Sequence, residues 1–218
     1  MIFETLNLME EHGSIFSGGI WVPTEKVGLL QSLVPSFVSL REENAKTKPP
    51  TYFEINSFTE PFQEIVNTYG VPRYQEVNPA LYAIPIFPFL FGVMFGDIGH
   101  GGVLLAFALF LTFSSKAKKL LPDIFAIRYL LLLMGIFSFY SGWIYNEFFS
   151  IPFNLFGSCY HDAEPEEEAE KIEDCVYPIG FDPVWIRSSN ELNYFNSYKM
   201  KFAVIIGVAQ MSFGKFLI

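Results

Sequence analysis

The stretch Phe87–Gly102, FPFLFGVMFGDIGHGG, decides how the rest of the chain is read. It is an apolar run that stops at Gly96 and Asp97, passes Gly99, His100, Gly101 and Gly102, and turns apolar again from Val103 to Phe113. A carboxylate and an imidazole therefore lie in a glycine-rich break between two segments apolar enough for lipid, where unsatisfied backbone and charge are costly. Two readings stand side by side. In one, the polar pair Asp97 and His100 serves transport; in the other, the break is a turn in water, with Asp97 capping the second helix.

Composition favours a membrane protein. Of the 218 residues, 51% are hydrophobic, 18% aromatic and only 17% charged, against about 25% charged in soluble chains. The net charge of -9 is uneven, because ten acids lie between Asp162 and Glu191. An acidic chain of this kind is not a nucleic-acid binder. No secretory signal precedes the first apolar segment. The last apolar segment, begun at Phe202, is still running at Ile218, so the chain reads as a fragment.

Residues 1–79 read as mixed and polar. Ser14–Pro23 suggests a strand with a glycine irregularity, and Thr24 caps a helix carrying Leu29, Leu30, Leu33 and Val34 before Pro35 stops it. Arg41–Pro50, polar and proline-terminated, reads as a linker or an exposed loop. Ser57 or Thr59 caps a further helix, with Pro61 in its first turn and Gly70 at its end. Asn78-Pro79 marks a turn at the membrane edge.

Residues 80–218 read as a membrane domain with helices near 80–97, 99–117, 128–149 and 199–218. The first two are slightly short of the roughly 20 residues that cross the hydrocarbon core, so they either span with local thinning or form a re-entrant hairpin. Between the second and third helices lie Lys116, Lys118, Lys119 and Arg128, with Asp123 as the one acid. The positive-inside rule makes that loop, and with it the amino-terminal region, cytoplasmic. Ser138 and Gly142, four residues apart, allow a neighbouring helix to approach closely. Glu147 reads as interfacial, beside the aromatic belt of Tyr140, Trp143, Tyr145, Phe148 and Phe149. The loop 150–198 is then lumenal and acidic. It contains Cys159 and Cys175, which form a disulfide there or remain two free thiols.

Few chemistries remain for such a chain. It has no phosphate-binding glycine loop with its lysine, hence no ATP-hydrolysing site. Its histidines and cysteines lack metal-ligand spacing, so no metal or cofactor is expected. Asp97 and His100, three residues apart, share one helical face if the second helix starts early enough, and a carboxylate and an imidazole held close together can exchange a proton near neutral pH.

Four segments carry a resemblance. VNPALYAIPIFPFLFGVMFGDIGHGG from Val77, the preceding PPTYFEINSFTEPFQEIVNTYGVPRYQEVNP, RYLLLLMGIFSFYSGWIYNEFFSIPFNLFGS from Arg128 and YPIGFDPVWIRSSNELNYFNSYKMKFAVIIGVAQMSFG from Tyr177 together resemble the a subunit of eukaryotic vacuolar-type proton ATPases. The resemblance implies an α-helical polytopic membrane protein: the first four of eight transmembrane helices, preceded by part of a cytoplasmic α/β and helical domain. It also implies a stator of a rotary proton pump in a vacuolar or other endomembrane. Partners implied are the proteolipid ring, other membrane-sector subunits, the peripheral stalk and the ATPase sector. The essential arginine of that family has no matching position here, whereas the Asp and His of its FGDxGHG motif match Asp97 and His100. The alternative is a membrane scaffold or assembly module without a direct proton path. A secondary transporter is disfavoured, since the broken-helix segment has no internal repeat.

Overall fold

A computed structural model describes residues 9–42, 47–114, 116–161, 170–187 and 191–216. Five of the ten loop acids, Asp162, Glu164, Glu166, Glu167 and Glu168, lie outside the described residues. The chain divides into two compact units, residues 1–54 with 72–76, and residues 55–71 with 77–218.

In the first unit, β1 (Glu10–His12) and β2 (Ile15–Ser17) pair antiparallel with His12 opposite Ile15. Gly13 and Ser14 make the two-residue turn, Gly13 at φ +66°. The strand expected over Ser14–Pro23 is therefore shorter and ends at Ser17, before Gly18 and Gly19. Thr24 does not cap; it opens a single 3-10 turn, Thr24–Lys26, that leads into α1 (Val27–Leu33). Val34 leaves that helix in extended conformation, as a residue before proline favours. Lys26 Nζ donates to the Tyr52 hydroxyl, and Thr51 Oγ1 donates to the Pro72 carbonyl at 2.6 Å.

The second unit is helical. α2 (Glu60–Tyr69) begins with Pro61 in its first turn, but neither Ser57 nor Thr59 caps it through its side chain. Asn56 closes the turn before it instead, its Oδ1 accepting from the Phe58 and Thr59 amides at 3.0 and 2.9 Å. Phe62 is buried, and Phe58 packs edge-on to Tyr129, so α2 belongs with the helices that follow it. Asn78 Nδ2 donates to Gln63 Oε1 at 2.7 Å, fixing the elbow between α2 and α3.

Four longer helices and two short ones follow: α3 (Ala80–Met94), α4 (Ile98–Phe113), α5 (Ala117–Leu120), α6 (Pro122–Ala126), α7 (Arg128–Tyr145) and α8 (Glu191–Phe216). α7 lies against both α3 and α4, most extensively α4. Gly142 makes this approach possible, since a Cβ there would run into the backbone of Asp97 and Ile98. β3 (Glu147–Phe148) and β4 (Ile151–Pro152) form a hairpin directly after α7.

Helix lengths depart from the expectation of four spanning segments. α3 ends at Met94 ahead of the Gly96-Asp97 break, and α4 starts at Ile98; with 15 and 16 residues they rise about 22 and 24 Å, short of the ~30 Å hydrocarbon core. α7 stops at Tyr145 rather than 149, because Asn146 takes the left-handed conformation (φ +53°) and the chain turns into β3. α8 begins at Glu191 rather than 199, and its opening turns are polar. No helix among the described residues is long and apolar enough to cross a membrane.

Candidate functional site

The site forms where α3 breaks. Helix ends leave carbonyls without intrahelical partners, and here α7 and α8 reach the last ones of α3. Tyr145 Oη donates to the Val93 carbonyl at 2.8 Å, and Ser138 Oγ donates to that of Phe95 at 2.6 Å. Between them, Lys199 Nζ from α8 approaches the Met94 carbonyl at 3.5 Å while lying 4.6 Å from the Tyr145 ring centroid. A cation beside a helix carboxyl end also meets the favourable sign of the helix dipole. Ser138 was legible as a small residue and Tyr145 as a belt aromatic; their hydrogen bonds, and the place of Lys199, were not.

Asp97 stands at the amino end of α4 in extended conformation (φ -154°, ψ 133°). Its Oδ1 accepts from the His100 amide at 2.9 Å, the N-cap bond expected of an aspartate there. The same oxygen accepts from the Phe149 amide at 3.1 Å, and Oδ2 accepts from the Ser150 amide at 2.8 Å. Phe149 and Ser150 are the two central residues of the β3–β4 turn, with Phe148 opposite Ile151 and φ of +50° and +61°. Both angles positive make a type I′ turn, normally built from Asn and Gly. Here a phenylalanine and a serine occupy it, and the Asp97 carboxylate takes the two amides that turn presents.

His100 and Asp97 come together, with Nδ1 3.2 Å from Oδ2, but only the carboxylate is buried: Asp97 is 6% exposed, and the His100 side chain 66%. The two do not share a helical face, because Asp97 precedes the helix. The Phe149 ring lies edge-on to the imidazole at 5.0 Å and rests on Gly99, where a Cβ would strike it at 2.6 Å. Asp97 sits in the connection between α3 and α4. Burial there works to raise its pKa, but the amides of His100, Ser150 and Phe149 and the His100 side chain outweigh it and hold the carboxyl below its ordinary value of 3.8.

A cavity of about 460 Å³ opens beside these groups; Asp97, His100, Ser138, Glu147 and Lys199 line it together with apolar residues of α3 and α4. Glu147 is half-buried at its edge. Among the described residues, no three His, Cys, Asp or Glu side chains gather as metal ligands would.

Beyond the hairpin, a second buried carboxylate organises the chain. Asp182 accepts from Ser158 Oγ and the Cys159 amide, both at 2.8 Å, and from the Val184 amide at 3.1 Å. The sequence signal was Asp182-Pro183, an N-cap followed by proline, ahead of the 3-10 turn Pro183–Arg187; the charge count hid it. Cys159 is bonded to Cys175, with Cα atoms 5.4 Å apart. This segment closes over the end of α7, where the Phe181 amide donates to the Ile144 carbonyl at 2.8 Å and Asn146 Nδ2 donates to the Phe181 carbonyl at 2.6 Å.

The model of the V-type ATPase 116 kDa subunit family matches residues 1–218. The chain belongs to that family. Relatives within the V-type ATPase 116 kDa subunit family include the vacuolar proton translocating ATPase 100 kDa subunit of Dictyostelium discoideum, 44% identical over 98% of this chain and 28% of its own length. The V-type proton ATPase subunit a of Schizosaccharomyces pombe is 40% identical over 99% of the chain and 28% of its own length. The human V-type proton ATPase 116 kDa subunit a 2 is 42% identical over 84% of the chain and 25% of its own length. The chain thus spans about a quarter of the length of the family members it matches.

Proposed function

We propose that the chain is a section of the static a subunit of an ATP-driven proton pump, embedded in an endomembrane, and that Asp97 holds its lumenal cap closed. The observation that carries the reading is the family match over all 218 residues. Apolar side chains exposed on the outer faces of α4 and α8, among them Val103, Phe110, Val204 and Ile205, support placement in lipid. The short helices are accommodated by local thinning, tilt or association with further helices. The amino-terminal unit lies on the cytoplasmic side, and the disulfide-bonded segment faces the oxidising lumen.

In the pump, a carboxylate on a rotating proteolipid ring takes a proton from one side, crosses lipid neutral and releases it on the other. An ionised carboxylate facing hydrocarbon would cost several kcal/mol, which enforces that order. The residues of this chain contribute the stationary wall. Asp97, with its lone pairs given to three backbone amides, positions α4 against the β3–β4 hairpin. A second reading, in which Asp97 and His100 lie on the proton path, is favoured by the cavity they line with Glu147 and Lys199.

Affinity purification of the endogenous full-length protein, with mass spectrometry of co-purifying species, tests the family role. Recovery of ring and ATPase-sector subunits supports it, and recovery of this protein alone removes it. Asp97→Asn in the full-length protein separates the two site readings. Reduced assembly with normal pumping per assembled complex is the outcome of a clamp; normal assembly with slowed pumping is that of a proton path.

A further inference from the structure

Where α4 meets α5, the surface changes character. Ala117 is fully buried and anchors α5, while Lys116, Lys118 and Lys119 point outward between two strongly exposed apolar side chains, Phe113 at 81% and Leu120 at 71%. Arg128, at the start of α7, is held in place. Its guanidinium carbon lies 4.1 Å from the Phe125 ring centroid and 4.3 Å from that of Tyr129, and Nη1 donates to the Phe125 carbonyl at 2.9 Å. Four cations less one carboxylate, Asp123, leave this stretch at +3 in a chain whose net charge is -9. Phe58, in the turn that leads into α2, packs on Tyr129 at the same end of α7, and α2 itself carries Glu60 and Glu64. Among the described residues, neither of these acids nor Asp123 comes within ion-pair distance of the four cations.

We propose that Phe113, Lys116, Lys118, Lys119, Leu120 and Arg128 form a binding surface for the headgroups of anionic phospholipids, resting on the membrane placement proposed above. The chemistry favours lipid over a soluble anion. A free phosphate has no use for Phe113 and Leu120, whereas a phospholipid presents a phosphodiester to the ammonium groups and an acyl boundary to the two apolar side chains. Lysine stems also lie along apolar surface while their heads stay in the headgroup layer. Arg128, already stacked between two rings, presents its remaining N–H groups without losing rotamer freedom on binding.

The test uses the intact pump containing the full-length protein, reconstituted in nanodiscs with photoactivatable phosphatidylserine or photoactivatable phosphatidylcholine of identical acyl chains. Labelled peptides are mapped by mass spectrometry. Phosphatidylserine is expected to label the α5–α6 peptides at least about fivefold over phosphatidylcholine, each lysine contributing up to roughly that factor. K119Q alone lowers the ratio, and K116Q/K118Q/K119Q brings it to one while phosphatidylcholine labelling of α7 is unchanged, which shows the fold intact. Equal labelling by the two lipids in the unsubstituted protein, or an unchanged ratio in the triple variant, overturns the proposal. Absence of labelling by either lipid on every helix overturns the membrane placement itself.

Discussion

At the scale of single residues, the Asp97 carboxylate joins the start of α4 to the β3–β4 turn through three backbone amides. It is a helix cap and a turn clamp at once, and these roles make a pH prediction with a definite sign. Its pKa is lowered in the folded protein, so its stabilisation is fully present above the ordinary carboxylate value and is lost only as pH falls through the depressed one. Amide exchange at Phe149 and Ser150, corrected for intrinsic rate, should therefore stay equally slow from about pH 7 to about pH 5. Exchange that quickens within that window would remove the clamp. In Asp97→Asn the Oδ1 acceptor survives and an amide nitrogen faces the Ser150 N–H, a loss of about 1.5–3 kcal/mol for a charged hydrogen bond. The expected signature is faster exchange at Ser150 than at the His100 amide. That Asp97 caps α4 was readable from its place before a helix. That it also holds residues 149 and 150 was not, because no local pattern announces a contact across 52 positions.

Elements show where periodic signals end. The apolar cores of α3, α4 and α7 were legible from hydropathy, but their ends were set by backbone chemistry that hydropathy does not weigh. The left-handed Asn146 and the type I′ turn cut α7 short, although Phe148 and Phe149 continue the apolar run. Ser138 and Gly142 were legible as a site of close approach, and α7 does meet the α3–α4 junction there. Gly142→Val should destabilise by about 1–3 kcal/mol, the usual cost of overpacking, read as a lowered melting temperature of the assembled complex. An unchanged melting temperature would mean that α7 does not need this spacing. In the segment 150–187, C159S/C175S frees a loop whose ends lie 16 positions apart, worth about 3 kcal/mol by loop entropy. Limited proteolysis of the detergent-solubilised complex, where the lumenal face is accessible, should cut this segment faster in the double variant; equal rates would show that Asp182 and Asn146 suffice to close it.

For the whole molecule, the question is the solvent. The sequence composition pointed to lipid, yet no helix among the described residues is both long and apolar enough to cross a bilayer on its own; α8, with 26 residues, has the length but opens in polar turns. Hydropathy sums a segment, whereas spanning depends on uninterrupted helix, and the break at Gly96 and Asp97 divides one apolar tract into two helices. Alkaline carbonate should leave the full-length protein in the membrane pellet, and K116Q/K118Q/K119Q should not alter that, since apolar burial rather than charge holds it there. Extraction into the supernatant would count against membrane embedding. The shared carboxylate also has a consequence for biosynthesis. Asp97 leaves the ribosome 52 residues ahead of Phe149, roughly 3–10 s earlier at translation rates of about 5–20 residues per second. During that interval two of its three amide partners do not yet exist. The helical pair α3–α4 must therefore wait, hydrated or attended by a chaperone, until α7 and its hairpin arrive, and a stalled chain ending before residue 149 should be retained by the insertion machinery rather than released.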